Sequence, residues 1–439
     1  MQILKFGGTS VGKPERMHQV ANLVTRDNEP KIVVLSALSG TTNALVSIGE
    51  SLKAADKEGA AEKIDALKEH YREFYPILLS ADEQREKASA LIDEHFEFLK
   101  ITLRISYNEA LNRDILAQGE LMSTKLFTLY LQERGANARL LPALEFMRTD
   151  EEGDPDIPFT TEKLGALIQK HEGVDLFVTQ GYICKNHKGE IDNLKRGGSD
   201  YTASLLGAAI NANEIQIWTD IDGMHNNDPR VVDKTFPIAE LSFDEAAELA
   251  YFGAKILHPA SIWPAQKYQI PVKLLNTMAP EAKGTIIGKG TISNEIKALA
   301  AKDGIIAVKV KSSRMLLAYG FMRKIFEIFE KYKTSVDMVT TSEVAVSVTI
   351  DDDHRLPVIV KELETLGMVE VDRDQTIICV VGNFVAEKKG IVDRIFNALT
   401  DIPIRMISYG GSRHNISMLI DTEYKNDALK KLNSGLFEL

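Results

Sequence analysis

Ile3-Leu4-Lys5-Phe6-Gly7-Gly8-Thr9-Ser10 opens the chain: a short apolar run carrying one lysine, then two glycines, then two hydroxyl residues. The pattern predicts a buried strand, a tight turn, and the start of a helix that continues through Arg16 and Val20. Without Cβ atoms at Gly7 and Gly8, an anion can approach the main-chain N–H groups. Thr9 or Ser10 can cap the helix, whose positive dipole end faces the same place. Lys5 adds a full charge, and the sum is a phosphate cradle. Gly7 to Lys13 nearly fits a P-loop, but Pro14 stands where the Mg²⁺-binding hydroxyl belongs, which excludes that motif. A plain strand-to-helix turn with a solvated lysine remains open on this stretch alone.

The same design repeats downstream. Lys31 to Ala37 reads as a second buried strand that breaks into Ser39-Gly40-Thr41-Thr42-Asn43 before a helix. Strands ending in such turns and followed by helices imply a parallel sheet with ligands at the carboxyl ends of its strands. Residues 51–100 form a charged, amphipathic helical excursion, followed by a helix over Arg113–Gln132 that contains Gly119-Glu120. Val174–Tyr182 is predicted as a strand, and 186–189 as a hairpin turn. A second glycine pair then opens an apolar helix in Arg196-Gly197-Gly198-Ser199-Asp200. An arginine beside two glycines suits bidentate binding of a carboxylate or phosphate, although Ser199 or Asp200 alone could be a simple cap. The strand Ile215–Trp218 delivers Thr219-Asp220, and a helix over Phe243–Ala254 is followed by Lys255 and His258. The glycines at 284, 288 and 290 approach a boundary near 293–302.

Beyond that boundary the periodicity changes. Strands are predicted at 305–311, 315–318, 334–339, 342–350, 376–381, 404–408 and 415–420. Helices are predicted at 322–332, 356–366, 389–399 and 425–431. Two copies of a small βαββαβ unit fit this order.

Composition narrows the class. The chain has 439 residues and a net charge of −11, from 52 basic and 63 acidic side chains. That balance argues against nucleic-acid binding. Cys184 and Cys379 match no metal or redox spacing and read as buried, reduced thiols of a cytoplasmic protein. No apolar run spans a bilayer, and none forms a signal region.

Four motifs in order, Lys5-Phe-Gly-Gly-Thr-Ser10, Arg196-Gly-Gly-Ser-Asp200-Tyr-Thr-Ala203, Trp218-Thr-Asp220 with Asp228-Pro-Arg230, and Gly253-Ala-Lys255-Ile-Leu-His-Pro259, resemble those of the aspartate kinases. The tail resembles their paired ACT domains, and no homoserine dehydrogenase extension follows. The resemblance implies a three-layer amino-acid-kinase sandwich with a mainly parallel sheet over 1–292. Two ferredoxin-like ACT units follow over 303–372 and 373–439, with strand 305–311 able to pair with the second unit. It implies transfer of the ATP γ-phosphoryl group, with Mg²⁺, to the β-carboxylate of L-aspartate in a cytoplasmic enzyme.

The resemblance also assigns residues. Lys5 and Asp200 match the catalytic pair. Ser36, Thr42, Glu120, Arg196 and Ser199 match the aspartate site, with Arg196 on a carboxylate and Glu120 on the ammonium group. Lys5, Gly7, Gly8, Thr219, Asp220, His225, Arg230 and Lys255 match the ATP site; His225 stands where many relatives carry tyrosine. Lys195, where a glycine is common, is read as solvent-facing. Met315, Gly320, Phe321, Met322, Ser335, Val336, Asp337, Thr341, Ser342 and Glu343 resemble an allosteric lysine pocket. No residue is assigned to a metal. A homodimer through the ACT units, or a larger assembly, is expected. Two alternatives stand beside this reading: a catalytically silent amino-acid sensor, and a kinase of the same fold acting on another small carboxylate.

Overall fold

The computed structural model describes residues 1–437 except 195–196, 254–256, 291–294, 316–318 and 384. The chain divides into two compact units. One comprises 1–224, 239–243 and 257–290; the other comprises 225–238, 244–256 and 291–439. The units do not follow the single linear boundary drawn near 292. Two segments from the first two-thirds of the sequence belong with the C-terminal fold.

The first unit is built on β1 (Gln2–Phe6), β2 (Lys31–Leu35), β3 (Ala138–Leu141), β4 (Leu176–Gln180), the hairpin strands β5 (Ile183–Lys185) and β6 (Ile191–Asn193), β7 (Ile215–Thr219), β8 (Glu240–Ser242), β9 (Val272–Asn276) and β10 (Thr285–Gly288). The main sheet runs β3-β4-β2-β1-β7-β9-β10-β8, and every pairing is parallel except β9 with β10. A parallel sheet needs both faces covered, and its strands accordingly read as unbroken apolar runs. Leu4, Phe6, Val33, Leu35, Val178 and Trp218 project into one core with the helices Pro14–Val24, Thr41–Lys53, Lys57–Leu78, Asp82–Thr102 and Glu109–Glu133. Strand alternation sends Ile3, Ile32, Val34 and Ile215, all fully buried, to the opposite face. There the helix Gly198–Ile210 lies so close that a Cβ on Gly207 would meet Ile215 Cδ1 at 2.6 Å.

The expected single helix after the glycine turn is two. Gly8–Val11 ends at Gly12, and Pro14 begins Pro14–Val24. Proline has no N–H for the preceding turn but suits the first position of a new helix. Nor do Thr9 or Ser10 cap the first helix. Its N-cap is Gly7, with no side-chain bond, and the buried Ser10 Oγ lies 2.8 Å from Thr277 Oγ1.

In the second unit, β11 (Ile296–Lys311), β12 (Val339–Thr341), β13 (Ala345–Ile350), β14 (Met368–Gly382), β15 (Met406–Tyr409) and β16 (Asn415–Asp421) form one sheet in the order β12-β13-β11-β14-β16-β15. All its pairings are antiparallel. Two strands are far longer than the sequence suggests. Residues 306–311 of β11 pair with β13, and 305–311 with 368–375 of β14, while 296–302 pair with 377–382. The strand segment shared with the second ACT-like unit is therefore 296–302, not 305–311. Register shifts around Lys302–Ala307 mark the hand-over, at Gly304 with φ 75°. Each half-sheet carries its own core. Phe321, Ile325 and Phe329 pack with Ile359 and Leu363 on one; Ile391, Ile395, Leu429 and Leu432 pack on the other, joined by Val232. Met315 lies in a 3₁₀ turn, Ser313–Met315, rather than in the expected strand; the rest of that strand, 316–318, lies outside the described residues. The expected strand over 334–339 is irregular through 338, and β12 begins only at Val339.

Candidate active site and regulatory site

Parallel register brings four strand ends to one edge. Phe6 is level with Leu35 and with Trp218, and Leu35 with Gln180. The residues that follow, Gly7, Ser36, Gly181 and Thr219, line that edge, where helix N-termini also point. Lys5 reaches over it, and its Nζ lies 2.6 Å from Asp200 Oδ1, with both side chains more than four-fifths buried. Asp200 comes from the first turn of Gly198–Ile210. Its entry is set by Gly197, whose φ of 72° is the left-handed conformation that favours glycine. A Cβ there would also crowd His258 and Ser261 at 3.1–3.2 Å.

The second cluster is beside it. Ser36 Oγ donates to Ser199 Oγ at 2.9 Å, and Ser123 Oγ donates to the Ser36 carbonyl at 2.8 Å. Gly181 permits this arrangement: a Cβ at that position would fall 2.2 Å from Ser199 Oγ. Glu120, on Glu109–Glu133, accepts a hydrogen bond from the Ala37 N–H at 3.3 Å through Oε1. Its Oε2 is buried without a partner. Burial pushes the Glu120 carboxyl up to about 7, against the Ala37 bond that favours its ionised form. Burial likewise raises the Tyr182 hydroxyl to about 12, with Glu120 as the next contributor. Tyr182 has a φ of 67°, and its N–H donates to Thr202 Oγ1 at 2.9 Å. The constellation thus offers an ammonium paired with a carboxylate, a hydroxyl pair, and a bare buried carboxylate oxygen. Such a site can neutralise phosphate charge and receive a cationic group.

The remaining expected residues fall as follows. Thr42 is exposed in the first turn of Thr41–Lys53, while its neighbour Thr41 is buried and hydrogen-bonded to Tyr71. Thr219 donates to Asp220 at the end of β7. Arg196 and Lys255, with Lys195, lie outside the described residues. His225 and Arg230 belong to the second unit, where His225 Nδ1 lies 2.8 Å from Thr235 Oγ1 and Arg230 forms an exposed pair with Asp228. Sequence reasoning missed Gly181, Ser123 and Thr202, which position others. Gly181-Tyr182 was read as the end of a strand; a glycine at a strand terminus was the available signal.

In the second unit, Gly320 caps Phe321–Lys331 with φ 78°. Phe321 is buried core, and Met315, Met322 and Val336 pack against that core. Ser335, Thr341, Ser342 and Glu343 are exposed. The Asp337 side chain is 1% exposed. Its Oδ1 accepts from Lys302 Nζ at 2.9 Å and from the Tyr251 hydroxyl, and its Oδ2 has no partner. Lys302 also meets Asp351 at 2.9 Å. Burial opposes the Lys302 charge, but Asp351 and Asp337 outweigh it and raise its pKa. Both cysteines are free and buried, and burial, with Asp192, pushes the Cys184 thiol up to about 12. Among the described residues, no helix is long and apolar enough to cross a membrane.

Comparison with known proteins agrees with this geometry. The Amino acid kinase family profile matches residues 1–276, and an ACT domain profile matches 378–436. The chain is 36% identical to the lysine-sensitive aspartokinase 3 of Escherichia coli, over 99% of each sequence. It superposes on E. coli aspartokinase III in complex with aspartate and ADP at a TM-score of 0.87, with 35% identity and complete coverage of both chains. Against the same enzyme in complex with lysine and aspartate the TM-score is 0.82, with 35% identity, covering 100% of this chain and 99% of that one. The chain belongs to the aspartokinase family.

Proposed function

We propose that this protein transfers the γ-phosphoryl group of ATP to the β-carboxylate of L-aspartate, giving 4-phospho-L-aspartate. The observation that carries the reading is the pairing of opposite receptors at one sheet edge. The bare Oε2 of buried Glu120 takes the substrate ammonium, and Lys5, held by Asp200, faces the phosphates. Arg196 takes a substrate carboxylate, with Ser36, Thr42 and Ser199 as hydroxyl partners. The acceptor is ionised at neutral pH, so no general base is needed. Rate comes from positioning and from neutralising the transferring group. The nucleotide would enter with Mg²⁺, which would offset phosphate charge, and Gly7, Gly8, Thr219 and Asp220 would be its contacts. Complexes of the E. coli relative with aspartate and ADP support the assignment.

The C-terminal unit is read as a lysine sensor. Gly320 opens a helix whose free N–H groups suit a carboxylate, and Asp337 offers a free oxygen to an ammonium group. Met315, Phe321, Met322 and Val336 give apolar surface, with Ser335, Thr341, Ser342 and Glu343 nearby in sequence. The lysine complex of the E. coli enzyme supports this choice. A cytoplasmic homodimer through the ACT-like sheet, or a larger assembly of such dimers, completes the reading. The test is an aspartate-dependent ADP-release assay with glutamate as the rival acceptor, repeated with lysine, threonine and methionine present.

A further inference from the structure

A line of buried polar atoms runs from strand β4 to the helix Glu109–Glu133, one turn from the acceptor seat. Gln180 ends β4 and Thr124 follows Glu120 by one helical turn; both side chains are fully buried. Gln180 Oε1 accepts the Ala143 N–H at 2.8 Å, and its Nε2 donates to Thr124 Oγ1 at 2.7 Å. Thr124 Oγ1 in turn donates to the Glu120 carbonyl at 2.8 Å.

The direction of the line is forced. A backbone N–H can only donate, so the Gln180 amide oxygen must face Ala143 and its nitrogen must face Thr124. The Thr124 oxygen is then an acceptor, and its single proton is left for Glu120. A hydroxyl bonded back to the carbonyl one turn earlier can bend a helix locally, and this turn is the one that bears the ammonium receptor. Two further contacts press the same turn onto the end of β2. Ser123 Oγ donates to the Ser36 carbonyl at 2.8 Å, and a Cβ on Gly119 would fall 2.8 Å from Ala37 Cβ. The bond from the Ala37 N–H to Glu120 Oε1 is long, at 3.3 Å, and holds the carboxylate weakly by itself.

The same strand end reaches the other side of the seat. Gly181 donates its N–H to the Leu35 carbonyl at 2.9 Å and leaves the space that Ser199 fills. Successive residues of an extended chain face opposite sides. The dipeptide Gln180-Gly181 therefore meets the Glu120 helix through one residue and Ser199 through the next.

We propose that Gln180 and Thr124 are positioning residues for the acceptor, their hydrogen bonds fixing the span between the Glu120 carboxylate and the Ser36–Ser199 hydroxyl pair. The role rests on the reading of Glu120 as the ammonium receptor. A fixed span suits one length of amino diacid, and a misplacement of about 1 Å can cost ~10²-fold in an enzyme.

The test is steady-state kinetics on the full-length protein, with thermal unfolding of each variant. Thr124→Val keeps the shape and removes the proton. It should raise KM for aspartate about threefold to tenfold, the effect of one net hydrogen bond, with KM for ATP unchanged. Thr124→Ser returns the hydroxyl and should restore most of the loss. Gln180→Leu should resemble Thr124→Val, and the double variant should be no worse than the poorer single one, because both break one line. Gln180→Leu also strands the Ala143 N–H and should melt earlier; Thr124→Val spares that bond and separates positioning from stability. Unchanged KM for aspartate in Thr124→Val, equal impairment in Thr124→Ser, or multiplied effects in the double variant would overturn the positioning role. Glu120→Gln reads the receptor assignment separately: a raised KM for aspartate there leaves it standing, and an unchanged one removes the receptor and the positioning role together.

Discussion

Lys5 Nζ and Asp200 Oδ1 meet at 2.6 Å at the carboxyl edge of the parallel sheet, although one residue lies near the end of the first strand and the other in the first turn of a helix far along the chain. The pair keeps an ammonium ready where two glycines leave room for phosphate. Preorganised charge of this kind needs no rearrangement at the moment of transfer.

Lys5→Ala should therefore reduce kcat by ~10²–10³. Steady-state kinetics with a parallel thermal melt checks this. Turnover within a few-fold of wild type, in folded protein, would remove Lys5 from the catalytic role.

Glu120 gives the substrate site a pH signature. Its folded carboxyl is raised to about 7 from an ordinary 4.5, so ligand-free enzyme carries it protonated below neutrality. Only the ionised form attracts the aspartate ammonium. KM for aspartate should rise up to tenfold per pH unit below about 7, and Glu120→Gln should raise KM and flatten that dependence. The same shift bears on stability. Between those two values the folded state holds a proton that the unfolded state has lost, so stability falls as pH rises through the window. The difference is about 3 kcal/mol when the whole interval is crossed. A KM profile flat from pH 5.5 to 8 would contradict the ammonium assignment.

Gly181→Ala tests the serine pair. The new methyl would fall 2.2 Å from Ser199 Oγ and 2.9 Å from its Cα, so Ser199 must move. KM for aspartate should rise at least tenfold, with KM for ATP much less affected. An unchanged KM for aspartate would show that Ser199 does not hold the substrate.

Asn433→Ala tests the packing of the second unit. Asn433 Oδ1 accepts from Asn226 and Asn227, and its Nδ2 donates to the Lys234 carbonyl. Removing this buried amide strands those groups and should cost about 1–3 kcal/mol. Chemical denaturation followed at the C-terminal unit should show it; an unshifted midpoint would mean that water replaces the amide.

Much of this was legible in the sequence for physical reasons. Apolar runs ending in small, hydroxyl-rich turns identify parallel strands, and β1, β2, β4 and β7 lie where those runs are. The amphipathic periods of Phe321–Lys331 and Ile391–Ala398 were equally plain. Extent was not. The long β11 and β14 serve both halves of the second sheet, and nothing in local periodicity says that a strand will continue past a bulge at Gly304. Ser10 looked like a cap but reaches Thr277, a partner that only tertiary structure reveals. Glu120 stood out only through the motif resemblance; that its carboxyl is buried is a tertiary fact. The assignment of individual residues to aspartate, ATP and lysine came from motif resemblance, not from periodicity.

The most direct measurement is ADP release by the wild-type protein with MgATP, comparing L-aspartate with L-glutamate. The account predicts aspartate-dependent release, with one acyl phosphate trapped per ADP and negligible turnover on glutamate. ADP release that is independent of aspartate, or equal with both acids, would contradict it.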